Sequence, residues 1–140
     1  MNALIAKFNA MLDMPDVGKL VLRVSFGLMF LLHGIHKIHG GTDFIQGLLV
    51  QHGLPAFIAY GVYLGEVVAP LMLILGVYTR IGAFIMIGTC FFITYLAHMG
   101  DLFVLDQYGA WGAEGVGVYL FSAIAILFLG SGKYALLADR

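Results

Sequence analysis

Lys19–Lys37 reads KLVLRVSFGLMFLLHGIHK, and how this stretch is read decides the fold. It is long and apolar enough to cross a bilayer, whose hydrocarbon core takes about 20 predominantly apolar residues. Yet it carries Arg23, His33, His36 and Lys37. An ionisable group inside such a segment is costly and faces a partner, a cavity or the interface. Arg23, Gly27, Phe30, Gly34 and Lys37 recur at helical spacing and form one stripe, charged at both ends and small in the middle. That stripe suits packing against other helices rather than lipid.

The rest of the chain agrees with a membrane setting. Of 140 residues, 61% are hydrophobic and only 11% charged, against about 25% charged in soluble domains. A soluble domain of this size has no interior large enough for that apolar surface. A net charge of −1 without a basic patch gives no footprint for nucleic acid. Cys90 is the only cysteine, which excludes an intramolecular disulfide, a CxxC motif and a thiolate metal cage.

Toward the N-terminus, NALIAKFNAMLD (residues 2–13) places Leu4, Ile5, Phe8, Met11 and Leu12 on one face. This predicts an amphipathic helix lying in the headgroup region. Pro15 and Asp16 then restart the chain. A cleaved signal peptide fits poorly, because the first apolar run starts late, carries Arg23 and ends in HGIHKIHGG. Toward the C-terminus, DFIQGLLVQ reads as a short interfacial helix ended by His52-Gly53. Further apolar runs follow, giving four spans at about 19–37, 55–78, 81–98 and 114–129. The expected fold is an all-α membrane protein, a four-transmembrane-helix bundle with an N-terminal interfacial amphipathic helix, making one domain over residues 1–140. With the N-terminus inside, Lys7, Lys19, Arg23, Arg80, Lys133 and Arg140 are cytoplasmic and only Lys37 is outside. Both termini are therefore expected in the cytoplasm, with Tyr108 and Trp111 at the outer interface.

Heights follow from the helical rise of about 1.5 Å per residue, taking Lys19, Arg80 and Lys133 as a common inner plane. His33 and Glu66 both fall at roughly 21 Å, Lys37 and His98 at roughly 27 Å, Glu114 at about 28 Å and Arg23 at about 6 Å. Every span thus supplies an ionisable group to the outer half. Glu66 is the only charge in its span and must be protonated, paired or exposed to a water-filled cavity. Pro70, four residues on, has no N–H for the Glu66 carbonyl, which leaves an acceptor free at that level. Gly61, Gly65 and Ala69 form a small-residue ridge beside it, suited to helix packing. The candidate catalytic groups are Glu66 and His33. Lys37, His98 and Glu114 are candidate ligand-binding groups, and Arg23 and Arg80 structural polar groups. The plainer reading is that Lys37, His98 and Glu114 snorkel from span ends, His36 is interfacial and His33 is a hydrogen-bonded core histidine. No metal site is assigned, since the levels of His33, His36, Glu66 and His98 differ by a turn. Gly130-Ser131-Gly132-Lys133 is no phosphate loop: position 127 is Leu, Tyr134 replaces the required Ser/Thr, and no strand precedes it.

Arg23…Gly27…Phe30…His33-Gly34…Lys37, then Glu66, Leu75-Gly76-Val77-Tyr78-Thr79-Arg80 and Gly130-x-Gly132 together resemble the DoxX family over about residues 17–139. The family's tail often reads Gly-x-Gly-x-x-Ser-Leu-Asp, whereas here Asp139 is displaced. The resemblance implies a four-span protein of the bacterial inner membrane, with a link to thiosulfate:quinone oxidoreduction, quinone or thiol stress, or sulfur metabolism. Two function classes follow. In the first, a redox-associated subunit binds a quinone or similar small molecule; Glu66 and His33 supply protons and Lys37 is an electrostatic partner. Electrons then come from a bound cofactor or from a soluble or membrane partner subunit, because the spans hold no bis-histidine heme pattern and no CxxCH. In the second, the bundle is a scaffold, chaperone or small-solute carrier. Retained quinone or flavin favours the first, and solute flux without either favours the second. Beyond the lipid bilayer, no partner and no oligomeric state is legible.

Overall fold

A computed structural model describes residues 2–139. Helix α1 (Ala3–Leu12) starts where the Asn2 side chain accepts from the Leu4 N–H at 2.8 Å, and it buries none of its residues. Helix α2 (Pro15–Gly40) opens with Pro15 in its first turn, where no N–H is needed, and Asp16 complements the positive helix end. It ends at Gly41, whose φ of +81° lies in the left-handed region that glycine enters without strain. Its buried residues are Arg23, Gly27, Phe30 and Gly34, four members of the stripe, while Lys37 is half-buried.

After α3 (Asp43–Gln51), the second apolar run departs from a regular helix. It winds as a 3-10 stretch (Ala56–Gly61), a π turn (Leu64–Val68) and then α4 (Ala69–Leu75). Pro70 carries the reason: without its N–H the four-residue ladder fails at Glu66, and the backbone widens so that the Ala69 N–H bonds the Leu64 carbonyl. Gly76 (φ +70°) and Tyr78 (φ +46°) then turn the chain into α5 (Thr79–Ile93). A second π turn (Thr94–His98) and a 3-10 turn (Met99–Asp101) continue it. Helix α6 is Glu114–Leu129. Among the described residues there is no strand, only an isolated bridge between Leu105 and Trp111.

The run ending in α4 packs between α2 and α5, and α6 packs against α5 and α2, closing a four-helix bundle. Its core holds Phe30, Leu73, Ala83, Met86, Cys90, Ala123 and Ile126. Leu49 of α3 is buried with Ala59 and Leu96, so α3 lies across the end of the bundle that carries Lys37. Pro15–Gly40, Ala56–Leu75 and Thr79–Asp101 are each long and apolar enough to cross a membrane. Helix α6 is equally apolar but shorter, with 16 residues and so about 24 Å of length. Large apolar side chains such as Leu32, Phe84, Phe91, Phe121 and Phe128 stand on the outside, the arrangement expected where hydrocarbon replaces water.

Glycines set how closely the helices approach, most tightly at Gly34 and Gly65. A Cβ at Gly34 would collide with the Glu66 carbonyl, and one at Gly65 with the Thr89 side chain. The small-residue ridge is thus used from Gly65 onward. Gly61 is exposed with open space around it and does not join the packing.

Candidate functional site

At the Lys37 end the helices part around a cavity of about 630 Å³. Its walls are mostly apolar, and the polar side chains on them are His33, Lys37, Glu66, Thr89, His98 and Tyr119. Glu66 projects from the π turn and is only 2% exposed. Both of its oxygens accept from the Lys37 ammonium, Oε1 at 2.7 Å and Oε2 at 2.5 Å. Lys37 sits one turn above Gly34, and its four-carbon stem spans the difference in height between its own level and that of Glu66. Its side chain keeps 22% of its surface exposed. An ammonium has three N–H donors. Two serve Glu66.

His33 is placed differently. The Gly34 backbone meets Glu66, so the levels match, but successive helical residues diverge by about 100° and His33 points toward α6. Its ring stands edge-on to Tyr119 at 5.6 Å and lies 6.3 Å from Phe30. His98 lines the cavity as well, with Nδ1 3.0 Å from Asp101 Oδ2. Glu114 is exposed in the first turn of α6, beside the cavity wall rather than in it, and its neighbour Gly115 forms the wall instead. His36 is exposed. Among the described residues no group of three or more His, Cys, Asp or Glu side chains gathers closely enough to hold a metal ion.

Sequence reasoning missed Tyr119. Its one signal is a polar-tipped aromatic in the middle of an otherwise apolar helix, where a buried hydroxyl needs a partner. It also missed Asp101 as the neighbour of His98.

Arg23 and Arg80 lie at the opposite end and belong to a separate cluster. Arg23 is 1% exposed and donates from Nε to the Leu73 carbonyl, from Nη1 to Ser131 and from Nη2 to Tyr134. Arg80 donates from Nε to the Leu127 carbonyl, and its backbone N–H donates to Asp139 Oδ2 at 3.0 Å. These bonds hold the tail after α6 against the bundle. The Leu136 and Leu137 N–H groups add bonds to the carbonyls of Leu75 and Gly76.

Chemically, the Lys37 end offers an ion pair, imidazoles and a phenol on the walls of an apolar chamber. Such groups bind carbonyl oxygens and exchange protons, while the aromatic walls accept a ring.

The sequence model of the DoxX family matches residues 18–99. A protein of Bacillus subtilis (strain 168) with the name "Putative oxidoreductase CatD" is 33% identical over 81 residues, 58% of this chain and 56% of that protein. The chain thus spans little more than half the length of that relative. No solved structure matches it.

Proposed function

This chain belongs to the DoxX family, and from that premise we propose that it is a redox-associated protein of the bacterial inner membrane that binds a quinone or a similar small molecule. The observation that carries this reading is the buried Lys37–Glu66 pair on the wall of an apolar cavity of about 630 Å³. Small-molecule sites typically enclose about 300–1,000 Å³, with mostly apolar walls and a few convergent polar groups. The oxidoreductase in the relative's name belongs to the same class of chemistry.

A quinone becomes a quinol by taking up two electrons and two protons, one proton on each carbonyl oxygen. In this reading the Lys37 ammonium orients one carbonyl oxygen and passes it a proton, Glu66 accepts in the ion pair and relays the replacement proton to Lys37, and His33 delivers the second proton to the ring. His98 lines the same chamber and binds the ligand. Electrons come from a donor on a partner subunit. Glu114, beside the wall, has no role here. Gently purified protein is expected to retain a membrane quinone detectable by mass spectrometry, and Glu66→Gln is expected to lose it. Retention of flavin-free, quinone-free protein with solute flux in liposomes would instead establish a carrier.

Arg23, Arg80 and Lys133 lie at one end and Lys37 at the other, which supports a cytoplasmic Arg23 end and a cavity in the outer half. Arg140 lies outside the described residues. Cysteine introduced at Asp106 is expected to react with an external membrane-impermeant reagent and cysteine at Asp13 to be shielded. The reverse pattern would invert the topology.

A further inference from the structure

We propose that the cavity is entered sideways from the bilayer, through a mouth between the Lys37-end halves of α2 and α6, and that its occupant carries a hydrophobic tail left among the lipid chains. For its head group this rests on the quinone reading; the route rests on the walls themselves.

The side facing the end of the bundle is crossed by α3 and the loop before α6, with Phe44 exposed at its edge. Helix α3 lies there, with Phe44, Ile45 and Leu48 on the cavity and Leu49 buried against Ala59 and Leu96. The loop before α6 is pinned beside it. Trp111 Nε1 donates to the Leu102 carbonyl at 2.7 Å, and the Trp111 ring packs where Gly117 has no side chain.

Between α2 and α6 the wall is different. His33 and Gly115 both line the cavity and are both exposed. Phe44, Phe92, Ala97 and Gly112 also line the cavity and are exposed, but there a side chain or the packed loop occupies the wall, whereas Gly115 has no side chain to close it. A Cβ added at Gly115 would meet nothing within 4 Å. Below this point the seam is shut by Phe26 and Phe30 against Tyr119, at 6.2 and 5.0 Å between ring centres.

The depth of the mouth decides what enters. His33 lies seven residues inside the end of α2 at Gly40, about 10 Å along the axis. On α6 the gap begins at Gly115, in the first turn, and is shut at Tyr119, five residues inside the helix start, about 7.5 Å along it. At the same level the outer surface is apolar, with Leu32 on α2 and Val118 on α6 exposed. The mouth therefore runs from the helix ends down to the level of the acyl chains at His33, where a tailed amphiphile is concentrated and a water-soluble solute is excluded.

The test uses the full chain in lipid nanodiscs and three probes: a tail-less benzoquinone, the same ring with a decyl chain, and an isoprenoid alcohol lacking the ring. Gly115→Phe places a ring at the mouth from a Cβ that meets nothing within 4 Å, and Gly115→Leu places a smaller side chain there. Unchanged circular dichroism and Tm serve as the folding check. The Phe variant is expected to weaken the decyl-tailed probe at least about tenfold and the tail-less probe by no more than about twofold, with Leu intermediate. Equal loss of both quinones, or no change in either, overturns the lateral route. So does wild-type binding of the tail-less ring alone. If neither quinone binds but the isoprenoid alcohol does, and Gly115→Phe abolishes it, the route stands and the quinone reading falls. Binding of none of the three by wild type overturns both.

Discussion

Lys37→Met is expected to destabilise the bundle more than Glu66→Gln, and the double substitution to recover most of the loss. The two partners are unequally placed. Glu66 is 2% exposed and gives both oxygens to one ammonium, whereas Lys37 retains 22% exposure on a flexible stem. Removing the ammonium strands a carboxylate among apolar walls, and breaking a buried pair from one side costs about 3–5 kcal/mol. Removing the carboxylate's charge leaves an ammonium that swings toward the nearby helix end and water, and Gln still accepts a hydrogen bond. That cost is about 1–2 kcal/mol. With Glu66→Gln and Lys37→Met together no charge is left unpaired. Tm in detergent for the four proteins measures the cycle, and ligand retention on the same samples separates roles. Loss of ligand from Glu66→Gln with most stability kept marks a working group. Wild-type Tm in both single variants would mean that the pair does not form in the membrane.

What was legible in the sequence, and what was not, divides along the difference between backbone level and side-chain direction. Helical rise alone places His33 and Gly34 beside Glu66, and the close approach of Gly34 to the Glu66 carbonyl agrees. Rise says nothing of which way each residue faces; helical spacing does, placing Lys37 on the packed stripe and leaving out His33, whose ring meets Tyr119. The same limit applies to Glu114 and Gly115, where one residue of phase decides which forms the wall. Pro70 announced a free acceptor at Glu66, but not that the helix would widen into a π turn around it. Tyr119 was hidden because an aromatic on an apolar helix reads as core. The partners of Arg23 were hidden for another reason: all three are backbone carbonyls, which leave no trace in residue type. Gly130-Ser131-Gly132 invited comparison with a phosphate loop, yet its conformation serves a guanidinium. The positive φ of Gly130 and Gly132, +76° and +71°, shapes the turn that presents the Ser131 carbonyl to Arg23.

Arg23→Leu is accordingly expected to free the C-terminal tail while leaving the cavity at the other end intact. The guanidinium joins three segments, donating to Leu73 in α4 and to Ser131 and Tyr134 in the tail, from a position 1% exposed. No carboxylate compensates its charge among these bonds, so its removal relieves a desolvation cost. Against this, three carbonyls lose their donor in apolar surroundings, each worth about 1–3 kcal/mol if it stays unsatisfied. The tail carbonyls recover part by moving out to water, and the Leu73 carbonyl, held in α4, does not. The balance is a net loss of about 2–4 kcal/mol. Lys is not a substitute, because a single ammonium lacks the planar fork that reaches three acceptors. Arg23→Lys should therefore fall close to Arg23→Leu. The local readout is trypsin cleavage after Lys133, whose N–H is held by Asp16 Oδ1 at 3.1 Å in the docked tail. Cleavage should quicken by about tenfold or more in both Arg23 variants. Asp139→Asn, which loosens only the bond to the Arg80 N–H, should quicken it far less. Quinone retention in Arg23→Leu at temperatures below its Tm should match wild type, since no residue of the cavity touches Arg23 through these bonds. Unchanged cleavage and unchanged Tm in Arg23→Leu would show that the tail is held by the Leu136, Leu137 and Asp139 bonds alone.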